Sequence, residues 1–233
     1  QLRYTRNDDL YMDLFFCDAT GSIPGKMWDL VDDFQNCFER GDPVAVKGKV
    51  SEYNNMLQLT VNQINRATSK QYGQYGFASK ELIRKVDEPV VDLWKRLMKT
   101  TQTIKSPLKE LITTILIKYK NKILTMPVSV NQHLPLSGGF LKHIVVTSEI
   151  TRDILYHYTS LDSDLVLAGI ILNNIGKVKS INDDLIPSHT NEGKLFGHMV
   201  LGRDIVLDTI RSMNNFPEDI LTKLEHIILS HKG

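Results

Sequence analysis

The chain changes its hydrophobic period once, near residue 66. Before that point apolar and polar residues alternate, as in strands with one buried face. In Tyr11 to Cys17, Met12, Leu14 and Phe16 share one face, and Tyr11, Asp13, Phe15 and Cys17 the other. Asp18-Ala19-Thr20-Gly21 reads as a turn and Ser22 to Trp28 as the next strand. Asp29 to Arg40 carries Leu30, Phe34 and Phe38 at i, i+4, i+8, which predicts a helix stopped by Gly41-Asp42-Pro43. Val44 to Glu52 and Met56 to Ile64 predict two strands joined at Tyr53-Asn54-Asn55. Residues 67–77 are polar and glycine-containing, as in a linker. Helical spacing then predicts helices over 88–102, 106–122, 137–158, 162–174, 193–211 and 217–230. Pro127 to Pro135 reads as a loop.

With Leu2 to Arg6 as a first strand, the order β-β-β-α-β-β in so few residues is that of a small OB-type barrel. The expected fold is therefore multidomain, with a β-barrel over 1–66 followed by an all-α part. Of the 233 residues, 42% are hydrophobic and 24% charged, which excludes collagen, low complexity and wholesale disorder. No apolar run suits a membrane span or a signal peptide, and the chain starts at Gln1 rather than Met, as if an N-terminal piece were missing. Cys17 and Cys37 form neither a metal spacing nor a disulfide framework, which predicts a reducing cytoplasm.

Net charge is only +1, but it is uneven. Residues 1–66 carry −3, 67–130 carry +7 and 131–233 carry −3. A basic middle third suits either a polyanion partner or a solvated helix face. The outward barrel positions offer Tyr4, Tyr11, Phe15, Lys26, Trp28, Lys47, Lys49 and Tyr53. Aromatic platforms beside lysines bind single-stranded nucleic acid, each stacked base contributing about 1–3 kcal/mol. Core packing is the competing use of the aromatics. The barrel's own −3 argues against it binding RNA alone, so the basic segment is expected to complete a channel.

All seven histidines lie between His133 and His231, which invites a metal site in the helical half. Their spacing gives no local signature: His226 and His231 are about 140° apart on a helix. Asn173-Asn174-Ile175-Gly176 ends an apolar helix and reads locally as a glycine C-cap.

Several stretches of residues 127–233 resemble the HD-superfamily metal-dependent phosphohydrolases. SGGFLKH (137–143) is similar to the first metal-binding helix, ending in the ligand His143. DLVLAGIILNNIGKV (164–178) is similar to the segment that normally carries the histidine-aspartate pair. EGKLFGHMVLG (192–202) is similar to the third histidine segment with His198, and LEHIILSHKG (224–233) to the fourth with His226 and His231. In the barrel, DATGSIPGKMWD (18–29) is similar to a stretch of the YhaM-type 3′-to-5′ exoribonucleases, which place an OB barrel before an HD domain. The resemblance implies an OB domain over 1–66, a basic linker and helices over 67–126, and an HD-type domain over 127–233, cut before the family's last aspartate ligand.

It also implies a divalent metal, Mn or Mg, and a single-stranded RNA or DNA substrate entering by its 3′ end. Here the histidine-aspartate pair is Asn173-Asn174, and a histidine often found after the His133 position is Leu134. A neutral amide lacks the charge that holds a divalent ion and lowers the pKa of its water. The remaining candidate ligands are His143, His198, His226 and His231, with His133 nearby, and Lys177 is a candidate phosphate contact. Departures beyond the Asn pair read as natural decay rather than a single isosteric replacement. The expected function is nucleic-acid binding with weak or lost 3′-to-5′ hydrolysis. The alternatives are a non-catalytic protein-docking or ribonucleoprotein scaffold, homo-oligomeric or not, and a fully active exonuclease.

Overall fold

A computed structural model describes residues 1–130, 136–182 and 184–231. The chain divides into two compact units, Gln1–Arg84 and Lys85–Gly233, with the 67–126 stretch spanning the division.

The first unit is an OB-fold domain built on one five-stranded sheet. Its strands are β1 (Leu2–Tyr4), β2 (Leu10–Cys17), β3 (Ser22–Met27), β4 (Val44–Tyr53) and β5 (Met56–Arg66), in the order β1-β2-β3-β5-β4. β3 and β5 pair in parallel, Lys26 opposite Thr60, and the other neighbours are antiparallel. Asn54 and Asn55 both take positive φ, 51° and 60°, the geometry a two-residue hairpin needs to match strand twist. The inward positions Met12, Met27, Val61 and Ile64 form the core with Val31 of the short helix α1 (Val31–Phe34).

The helix expected over 29–40 is only this one turn. Leu30, which the pattern placed on the core face, is 59% exposed with φ 57°. Phe34, the last residue of α1, and Phe38, beyond it, still pack against the core, but no continuous helix joins them. The intervening Asp32, Asp33 and Asn36 are weak helix formers that compete for backbone hydrogen bonds. The expected linker is also structured, holding α2 (Ser69–Tyr72) with Thr68 as N-cap.

The second unit is all helical: α3 (Val90–Gln102), α4 (Leu108–Lys118), α5 (Lys120–Thr125), α6 (Gly139–Leu155), α7 (Ser163–Leu172), α8 (Lys177–Ser180), α9 (Asn191–Ile210) and α10 (Glu218–Ser230). The helix expected over 106–122 breaks at Tyr119, whose ψ of 12° separates α4 from α5. α7 is apolar on every side and sits centrally, packed by α4, α6 and α10. Asp162 caps it by accepting the amide hydrogen bond of Leu165 at 3.1 Å. The core runs from Leu93 and Leu97 through Ile112, Ile115 and Phe140 to Ile171, Val206 and Ile228. Arg96 of α3 donates to Glu149 of α6 and to Glu88, tying the outer helices together. Those hydrogen bonds hold the Glu149 carboxyl below its ordinary range. Among the described residues, no helix is long and apolar enough to cross a membrane.

Candidate functional site

The outward face of the sheet carries the first cluster. Register sets Asp13 opposite Lys26, Lys26 opposite Thr60 and Thr60 opposite Lys49, so these four side chains form one row across β2, β3, β5 and β4. Beside that row the rings of Tyr11 and Trp28 stack with centroids 4.8 Å apart. The Lys26 ammonium lies 5.2 Å from the Trp28 ring centre and 5.5 Å from that of Tyr11. Such a cation over two rings is held in place by their negative faces. Trp28 keeps 45% of its surface exposed, so part of the indole is available for a further ring.

Phe15, opposite Pro24, extends this face and is 66% exposed. Lys47 and Lys49 are exposed on β4, and Tyr53 stands exposed at its end. Tyr4 is not brought into this group. Its partner is Leu10, on the face of Met12, and Arg3 instead lies beside Tyr11 and pairs with Asp13 at 3.1 Å. Alternation assigns faces only once the register is known, which explains the difference. Thr60 was not singled out because a threonine in a strand carries no distinguishing signal. The turn before β3 is fixed by Asp18, whose Oδ1 accepts from Thr20 Oγ1 (2.6 Å), Thr20 N and Gly21 N. These bonds, that of the Thr20 hydroxyl foremost, lower the Asp18 pKa.

The second cluster lies where α7, α8, α9 and α10 meet. Gly176 does not act as a C-cap: its φ is −61°, ordinary right-handed backbone, and α7 is capped by Asn173. The glycine is required by proximity. A Cβ at position 176 would stand 1.9 Å from the His198 carbonyl oxygen and 2.4 Å from the Gly202 nitrogen. The Asn173–Lys177 segment is thereby held against the start of the straight part of α9. Gly197 breaks that helix one residue earlier with φ 72° and ψ 165°. This turns the chain so that the His198 ring faces His231, at the end of α10.

The two Nε2 atoms are 3.4 Å apart. His231 Nδ1 is 2.8 Å from the Ile228 carbonyl, which fixes that ring's orientation and leaves Nε2 towards His198. Asn174 is buried and donates from Nδ2 to Asn173 Oδ1 at 2.9 Å, while its own buried Oδ1 has no hydrogen-bond partner among the described residues. Lys177 donates to the Val128 carbonyl at 2.9 Å. His143, on α6, is partly buried, and burial followed by the nearby charge of Lys177 lowers its pKa. His226 is exposed on α10, outside the His198–His231 pair. His133 and Leu134 lie outside the described residues.

Among the described residues, the donor set does not fit a two-metal clamp. Among the described residues, no three His, Cys, Asp or Glu side chains gather closely enough to hold an ion. Asn173 and Asn174, where the resembling family carries its histidine-aspartate pair, are amides bonded to one another. His198 and His231 have the separation of two imidazoles on one ion, given nitrogen–metal distances of about 2.0–2.1 Å.

Residues 5–67 match the tRNA anti-codon family, described as an OB-fold nucleic acid binding domain. The whole chain is similar to a 3′-5′ exoribonuclease YhaM of Shouchella clausii, 28% identical over 228 residues, covering 97% of this chain and 70% of that protein. It is also similar to a 3′-5′ exoribonuclease YhaM of Halalkalibacterium halodurans, 26% identical over 226 residues, covering 97% and 69%. No solved structure matches it.

Proposed function

We propose that this chain binds single-stranded RNA or DNA on its OB-fold face and carries a helical HD-type domain, over 127–233, whose 3′-to-5′ hydrolysis is weak or lost. The observation that carries the binding half is the Tyr11–Trp28 stack beneath Lys26, on a domain matched to nucleic-acid-binding OB folds. A base stacks on the exposed part of Trp28, and Lys26, Lys47 and Lys49 meet the phosphates. The similarity to proteins named as 3′-5′ exoribonucleases supports a strand presented by its 3′ end.

The catalytic half rests on Asn173 and Asn174. Two-ion phosphodiester hydrolysis needs anionic bridging ligands that neutralise and position the metals. Amides at these places, one with its oxygen left buried and unpaired, supply neither charge nor a bridge. Among the described residues, a divalent ion, Mn or Mg, would find His198 and His231 as a pair, with His143 on α6 as a further candidate. Lys177, the candidate phosphate contact, donates to the Val128 carbonyl. The two exposed thiols, Cys17 and Cys37, suit a reducing cytoplasm.

Anisotropy titrations with labelled single-stranded RNA at about 50 and 200 mM salt test the binding half. Affinity should fall steeply, by about 0.7 in log Kd per phosphate contact for each tenfold rise in salt. Absence of RNA binding at both salt concentrations would instead support a protein-docking scaffold.

A further inference from the structure

We infer that the helical unit carries its own binding surface for the phosphate backbone of a single strand, centred on Lys118, Tyr119, Lys120 and Trp94 at the α4–α5 break. This rests on the nucleic-acid reading above and adds a contact outside the OB-fold face and outside the Asn173–His198 cluster.

Three observations meet there. First, the sequence has no Asp or Glu between Glu110 and Glu149, while Lys118, Lys120, Lys122 and Lys142 fall inside that stretch. Second, two of these cations lie over aromatic rings, whereas on α9 and α10 several cations pair with carboxylates: Arg203 with Glu225, Arg211 with Asp208, Lys223 with Asp219. At the break, the Lys120 ammonium lies 5.2 Å from the Trp94 ring centre and that of Lys118 lies 5.5 Å from the Tyr119 ring centre. Third, the break itself gathers them. Tyr119 leaves helical geometry between α4 and α5, and Lys118 and Lys120, on either side of it, are both exposed.

A solvated helix face mixes signs, as α9 and α10 do at those pairs. Exposed ammonium groups over aromatic faces, both on a 111–148 stretch that holds no carboxylate, instead match a polyanion that releases counterions on binding. The arrangement repeats the chemistry of Lys26 over Tyr11 and Trp28, on a different unit. Because the rings of Trp94 and Tyr119 are half-buried, the contact is to backbone phosphates more than to stacked bases.

The test uses the full chain and two fluorescent single-stranded RNAs, one of about 6 nucleotides that an OB fold alone accommodates and one of about 20. Wild type should bind the longer strand more tightly. The triple substitution Lys118→Gln, Lys120→Gln, Lys122→Gln should leave the short-strand affinity unchanged. It should weaken the long strand about tenfold at low salt and reduce its salt slope by about 2. Lys223→Gln, on a paired surface lysine, should change neither. Equal long-strand affinity and slope in the triple variant overturns the inference and leaves the OB-fold reading intact. Equal loss on both strands also overturns it, because the lysines then do not form a separate contact. Failure of wild type to bind either strand overturns both readings.

Discussion

Gly176→Ala puts the helical cluster to a quantitative test. The backbone at Gly176 is right-handed, φ −61° and ψ −15°, so on propensity alone alanine should stabilise by about 0.4–1 kcal/mol. Packing predicts the opposite sign. The added methyl would lie 1.9 Å from the His198 carbonyl oxygen and 2.4 Å from the Gly202 nitrogen. Both are backbone atoms, so no rotamer change relieves the clash. The α8–α9 contact must open by about an ångström, and overpacking of that kind costs about 3 kcal/mol.

The net expectation is a loss of about 2 kcal/mol. For a domain of this size each kcal/mol moves Tm by about 2–4 °C, so thermal unfolding followed by circular dichroism should show a fall of about 4–8 °C. Gly202→Ala is the internal comparison. Its nearest neighbour would be the Gly176 nitrogen at 3.2 Å, which a few tenths of an ångström relieve. It should cost less than half as much. An unchanged or raised Tm for Gly176→Ala would refute the close approach of the Asn173–Lys177 segment to α9.

Trp28→Ala should reduce affinity for short single-stranded RNA by about 1–3 kcal/mol, roughly 5- to 150-fold, with little change in Tm because the indole is half-exposed. An unchanged Kd would remove the stacking platform. Glu149→Gln tests the Arg96 bridge through pH. The folded-state pKa of Glu149 lies below its ordinary 4.5, so the bridge stabilises above that pH and its contribution is lost as pH falls through the lower folded value. Both side chains are more than a third exposed, which limits the effect to about 1 kcal/mol or less. The Tm gap between wild type and variant should therefore be present at neutral pH and close as pH falls through the lowered folded-state pKa of Glu149. A gap that persists in acid would assign the loss to packing.

The strands of the OB domain were legible because each buries one face, so Met12, Met27 and Val61 follow the alternation directly. Helix extents were less legible. Around Phe34 and Phe38 apolar spacing alone suggested a long helix, but the acidic and amide residues between them keep the chain in turns. Nothing local marks Tyr119 as a break, since its neighbours are good helix formers.

At the candidate sites, residue types were readable but their partners were not. The pairing of His198 with His231 depends on the Gly197 kink, and the role of Gly176 depends on α9 lying against it. Both are tertiary facts that local capping rules do not contain. Lys26, Trp28 and Tyr11 were recognisable as a basic-aromatic group, whereas Tyr4 was separated from them by a register that the sequence does not print.

The central claim is binding without efficient hydrolysis. It is tested most directly by incubating the purified protein with 5′-labelled single-stranded RNA and manganese, and dividing the sample between native and denaturing gels. A native shift with intact RNA on the denaturing gel is the predicted result. A ladder that shortens steadily from the 3′ end would contradict the impaired site at Asn173 and Asn174, and neither shift nor ladder would contradict nucleic-acid binding itself.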